Sequence, residues 1–171
     1  MKCLQVVKAL AGNYKVKTDA GRDGILPLIV TAMDRHVTRA GLVEAGCSAL
    51  TSLTLRQSEN SVTVVKDCDG ASILTLVMSK YPSIKRVQSH AIAAIRNIVS
   101  RNKELVAVFI DQGVEQLLSL AMEHHRNTIG TPSGAPRGTW GSRWSLWRAG
   151  LGTRSRSAKT SESPVTLWII D

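Results

Sequence analysis

The chain has 171 residues, enough for one domain with a real core, and 43% of them are hydrophobic. Its formal charge of +9 is unevenly spread: residues 1–126 carry 16 Lys/Arg against 11 Asp/Glu, and residues 127–171 carry 6 against 2. Three cysteines (Cys3, Cys47, Cys68), an odd number without close paired spacing, argue against a disulfide framework or a zinc site. The apolar start is interrupted by Lys8, too early for a signal peptide, and no run approaches the roughly 20 apolar residues of a membrane span. These features point to the cytoplasm or the nucleus.

In chain order, the first residues to about Asn13 read as the end of a helix. VKTDAGRDG (16–24) is a short helix with Ala20 and Gly21 where aliphatic residues are expected, so it should be frayed or partly irregular. A second helix leads to MDRHVT at Met33, and a third, longer one carries Leu42, Gly46, Ala49, Leu50 and Leu53 on one face. The pattern then repeats. SENSVTVVKDCDG (58–70) gives a short helix that stops at Gly70, ASILTLVMSK (71–80) a second, and after Pro82 and Ser83 comes a third over 84–101. A further short helix runs to Gly113 and another through Met122, in MEHHRN.

The repetition has a fixed step. Met33, Met78 and Met122 lie 45 and 44 residues apart, and the same 45-residue step carries Leu42 to Val87, Gly46 to Ala91, Ala49 to Ala94, Leu50 to Ile95 and Leu53 to Ile98. Leu10 precedes Leu53 by 43, and Gly24, Gly70 and Gly113 recur before the Met segments. Period-two alternation is nearly absent, so no sheet is expected. Units of two or three helices at about 40–47 residues mark helical solenoids.

KALAGN, CSALTSLTLRQSENS and IRNIVSRN carry a more specific likeness. From Cys3 to about His125 the chain resembles the armadillo-repeat superfamily, and in particular the C-terminal repeats of the armadillo repeat-containing protein 6 family. The resemblance implies an all-α, right-handed solenoid of three-helix repeats over 1–126, with full repeats at 13–56 and 57–101 and partial ones at both ends. Repeat character stops after His125, where another third helix is due, so a fragment or divergent isoform is expected. Both ends should expose aliphatic surface.

The resemblance also places the third helices on a concave surface that binds protein partners. At 100° per residue, the side of 91–102 away from Ala91, Ile95 and Ile98 presents Asn97 and Arg101, and one repeat earlier Ser48, Ser52 and Arg56. In peptide-binding armadillo proteins an Asn at this step clamps an extended main chain, since an amide donates and accepts at once. Here the equivalent positions read Ala9, Ser52 and Asn97, so that ladder is broken. Arg56 and Arg101 remain, suited to acidic or phosphorylated segments. The expected function is a non-catalytic interaction module without cofactor. No nucleophile elbow, glycine-rich phosphate loop or paired-carboxylate signature is present. His124 and His125, adjacent on a helix, lack partners at metal-ligand spacing, and a solvated place is expected for His36 and His125.

Residues 127–171 hold 6 Gly, 3 Pro and 13 Ser/Thr, which argues for a disordered tail. WGSRWSLWRAGLGTRSRSAK mixes Arg with Trp, a composition that stacks on and pairs with nucleic acid or rests on an anionic membrane surface. The alternative function is therefore a basic nucleic-acid-associating protein acting through this tail. The abrupt shift in composition also fits an alternative or misread terminal exon without selected function.

Overall fold

The computed structural model of the protein describes residues 2–125; the expectations for 127–171 lie outside the described residues. Within them every regular element is helical and no strand occurs. Two complete three-helix units stand in the middle: α2 (Tyr14–Arg22), α3 (Ile25–Arg35) and α4 (Ala40–Thr54), then α5 (Ser58–Val62), α6 (Gly70–Lys80) and α7 (Lys85–Val99). A π-helical turn, Thr63–Asp67, extends α5. Partial units flank them, α1 (Lys2–Leu10) before and α8 (Leu105–Asp111) with α9 (Val114–His124) after. Like packs on like: α1 on α4 on α7, and α3 on α6 on α9. This is an armadillo-type α-solenoid.

The core is aliphatic, as the composition requires. Leu26, Met33, Leu50, Leu53, Leu74, Met78, Ile95 and Ile98 are all 2% exposed or less, and Phe109 is the one large aromatic among them. Each such side chain contributes about 1.5–3 kcal/mol by leaving water. Cys47 lies fully inside this core. The small positions have a steric cause: a Cβ on Gly46 would sit 2.5 Å from the Met33 side chain. Ala91, 45 residues on, is likewise fully buried.

The repeat also appears in the backbone. α3, α6 and α9 each open after a left-handed residue, Gly24 (φ 73°), Asp69 (φ 53°) and Gly113 (φ 74°). The glycine register inferred from sequence is thus shifted by one in the middle repeat. Gly70 does not stop a helix there; it opens α6, and a Cβ on it would meet the Val64 carbonyl oxygen at 2.6 Å. Asp69 adopts the strained conformation instead, its Oδ1 accepting from the Ser72 hydroxyl at 2.6 Å.

A second correction concerns residues 16–24. Residues 16–22 belong to the ordered helix α2 rather than a frayed one, with a turn only at Asp23 and Gly24, because Asn13 caps its start (Lys15 N–H to Oδ1, 2.9 Å) and Ala20 is buried. Gly21 is there for room: a Cβ would lie 2.1 Å from Asn60 Oδ1. Asn60 in turn donates to the carbonyls of Lys17 (3.0 Å) and Leu53 (2.9 Å), tying α2, α4 and α5 together.

The third correction is His125, which is half-buried rather than solvated. Its Nε2 is 2.9 Å from the Pro82 carbonyl oxygen, and Tyr81, at the same place one repeat earlier, donates its hydroxyl to Val37 O at 2.8 Å. A polar ring at the end of α6 and of α9 thus latches onto the preceding repeat, whereas His36, at the equivalent place after α3, is exposed. Aliphatic surface is exposed on α1, where Val6 and Leu10 are each 55% accessible, and on α9 at Leu120.

Candidate functional site

Of the five side chains singled out from sequence, Ser48, Ser52 and Asn97 lie on the third helices α4 and α7 and Arg56 and Arg101 just beyond their ends, and the structure assigns them different fates. Ser48 is buried, 6% exposed. Ser52 is half-buried and its hydroxyl donates back to the Ser48 carbonyl at 3.2 Å. Asn97, also half-buried, points across the seam: its Nδ2 donates to Thr51 O at 2.9 Å. The Thr51 hydroxyl reaches the other way, to His90 O at 3.1 Å. The Asn97 amide donor thus braces α7 against α4.

Four carbonyls at the C-terminal end of α4 would lack helical partners. Outside groups serve this end: Asn97 reaches Thr51 O, Asn60 reaches Leu53 O, the Gln57 N–H reaches Thr54 O, and Lys17 Nζ reaches Leu55 O at 3.1 Å. Burial, and then the neighbouring Arg56 charge, lower the pKa of Lys17. An analogous clasp joins the start of α5 to the end of α7, where Ser58 bonds Asn102 Oδ1 and Asn102 Nδ2 donates to Ile98 O at 3.2 Å.

Arg56 and Arg101 are what this bracing leaves exposed. Each sits two residues beyond its third helix, in matching positions. Arg56 has φ 60°, a left-handed conformation that costs a non-glycine residue about 1–2 kcal/mol. Strain held at an exposed residue is one signature of a functional position.

Sequence reasoning missed a second group. A notch of about 210 Å³ opens between α1, α4 and α7, lined in part by Gln5, Lys8, Glu44, Ser48, Arg86 and His90. Glu44 accepts an ion pair from Arg86 at 2.8 Å, linking α4 to α7. His90 is held below its ordinary pKa, first by burial, then by Lys8; Glu44 pulls the other way and Arg86 adds to the depression. Repeat arithmetic could not find this set, because Glu44 and Arg86 do not occupy equivalent positions. A larger depression of about 400 Å³ beside α3 is lined by Asp67, Cys68 and Asp69. Burial, then Asp67, push the Cys68 thiol up, away from the reactive thiolate.

Among the described residues no three His, Cys, Asp or Glu side chains group as a metal site. No single helix among them is long and apolar enough to cross a membrane; the apolar pair α8 and α9 is bent by 73° at its junction.

Three known proteins share part of this sequence. Armadillo repeat-containing protein 6 of Pongo abelii is 41% identical over 58 residues, covering 34% of this chain and 12% of that protein. The Homo sapiens protein of that name gives the same identity, length and shares. The Drosophila melanogaster homolog is 34% identical over 60 residues, 35% of this chain and 13% of that protein. These similarities support an armadillo-repeat relationship. The matched part spans about an eighth of the length of these curated relatives. No family model and no solved structure matches the chain. The armadillo relationship agrees with the helical rows seen in the fold, and it accounts for the 45-residue step.

Proposed function

We propose that this armadillo-type segment is a non-catalytic protein-interaction module that takes a partner segment along the concave face formed by α1, α4 and α7. The observation that carries the reading is a contrast: Asn97 and Thr51 are spent on bonds between α4 and α7 and Ser48 is buried, while Arg56 and Arg101 stand exposed at matching positions, Arg56 in a strained backbone. Two arginines with ten N–H donors between them suit an acidic or phosphorylated segment. Ser48 and Asn97 act as supports for the face rather than as contacts, and Ser52 contributes only its half-exposed edge.

The test is charge reversal on the full chain. Arg56→Glu with Arg101→Glu weakens partner capture by about tenfold or more, from two lost charge-assisted contacts, and leaves the melting temperature nearly unchanged. Full capture by this double variant, with loss on reversing charges on the opposite helices α3 and α6, contradicts the reading. The alternative, nucleic-acid association through the basic residues of 127–171, predicts instead that deleting those residues abolishes binding and its salt dependence.

A further inference from the structure

We propose that the notch between α1, α4 and α7 is a subsite for one anionic side chain, carboxylate or phosphoryl, of a bound peptide segment. This deepens the concave-face reading and rests on it. The notch lies near the N-terminal ends of α4 and α7, away from Arg56 and Arg101, so it engages a different residue of the same partner.

Three donors from two helices converge there. Lys8 comes from α1, and Arg86 and His90 come from α7, four residues apart on one face. The only acidic side chain in the lining, Glu44, is already engaged by Arg86 at 2.8 Å. A guanidinium has five N–H donors, so Arg86 can keep Glu44 and still face a second anion. Its side chain is 77% exposed and free to turn inward, whereas Glu44 is only 23% exposed and anchored. The field at the His90 ring is positive on balance, since Lys8 and Arg86 both disfavour its protonation against Glu44 alone. An incoming anion offsets that field and gains from it. The volume, about 210 Å³, is roughly that of seven liquid waters, room for a carboxylate or phosphoryl group with some of its hydration. Ser48 forms a neutral floor and Gln5 adds an amide at the rim. A small notch with a carboxylate in its wall is poorly suited to a nucleic-acid backbone, which needs a continuous basic track.

Binding is linked to protonation. Because the anion raises the His90 pKa in the complex, protons are taken up on binding, and affinity rises as pH falls from the raised midpoint of the complex towards the lower midpoint of free His90.

The test follows the His90 ring by NMR in the full chain, at constant ionic strength set by chloride. The probes are blocked tripeptides Gly-Glu-Gly and Gly-phosphoserine-Gly, with Gly-Gln-Gly as the neutral control. The acidic probes should raise the His90 midpoint, the neutral one should not, and His36 and His124 should stay where they are. Lys8→Gln and Arg86→Gln each weaken the probe by about tenfold, as one charge-assisted hydrogen bond is lost. Glu44→Gln strengthens it by removing the competing carboxylate. A larger response to phosphoserine assigns the subsite to phosphorylated segments and a larger response to glutamate to acidic ones; both sustain it. No His90 response, an equal response of all the histidines, or a short single-stranded RNA acting at lower concentration than either peptide overturns it. That failure leaves the concave reading intact if reversal at Arg56 and Arg101 still abolishes capture. A His90 response without any effect of that reversal defeats the broader reading alone.

Discussion

Replacing Gly21 by alanine sets two effects against each other. By helix propensity the change should stabilise α2 by about 0.5–1 kcal/mol. The structure adds a collision: the new Cβ would sit 2.1 Å from Asn60 Oδ1 and 3.2 Å from its Cγ. Asn60 must swing away, and with it go its bonds to Lys17 O and Leu53 O. Each bond contributes about 0.5–1.5 kcal/mol, and because Asn60 is only 4% exposed its stranded amide adds about 1–3 kcal/mol. The collision wins, and Gly21→Ala destabilises by about 1–5 kcal/mol net. Urea unfolding followed by circular dichroism measures this. In an Asn60→Ala background the collision is gone, so Gly21→Ala should become neutral or stabilising by up to about 1 kcal/mol. The double-mutant cycle should therefore return a coupling of about 1–6 kcal/mol. If Gly21→Ala stabilises the unmodified chain, or the coupling is below about 0.3 kcal/mol, the account of α2 is wrong.

Two further outcomes follow from burial. Leu50→Ala and Ile95→Ala, at equivalent places with 0% and 2% exposure, each cost about 2–5 kcal/mol, and a melting temperature within a degree or two of the parent contradicts the repeat register. Burial pushes the Cys47 thiol up to about 12, so near pH 8 it stays protonated and shielded while exposed Cys3 reacts. A thiol reagent should label Cys3 at once and Cys47 only on unfolding; equal rates in the native protein contradict the packing of α4.

Much of the fold is legible in the sequence because a solenoid repeats its core. The Met33, Met78 and Met122 register and the aliphatic face of each third helix follow from one step of about 45 residues. What was not legible lies at the seams. A helical wheel sets one helix against one core, and on that view Asn97 points outward. In the stack α7 has α4 along its flank, so an outward amide meets the Thr51 carbonyl and Ser48 is covered. Gly21 reads as a weak point in isolation and becomes a requirement only once Asn60, 39 residues on, lies against it. Asp69 hides the middle αL position because its side chain supplies a local hydrogen bond that glycine lacks. The notch draws on three helices at unmatched repeat positions, a combination no periodicity reports.

Which face meets the partner is measured most directly by site-specific photo-cross-linking in the full chain. One photoreactive residue replaces half-buried Ala93 on α7, and another replaces Leu28 on α3, which is 69% exposed on the opposite row. If the third helices form the partner face, the partner cross-links from position 93 and not from position 28. Cross-linking from position 28 alone, with both variants folded, contradicts it.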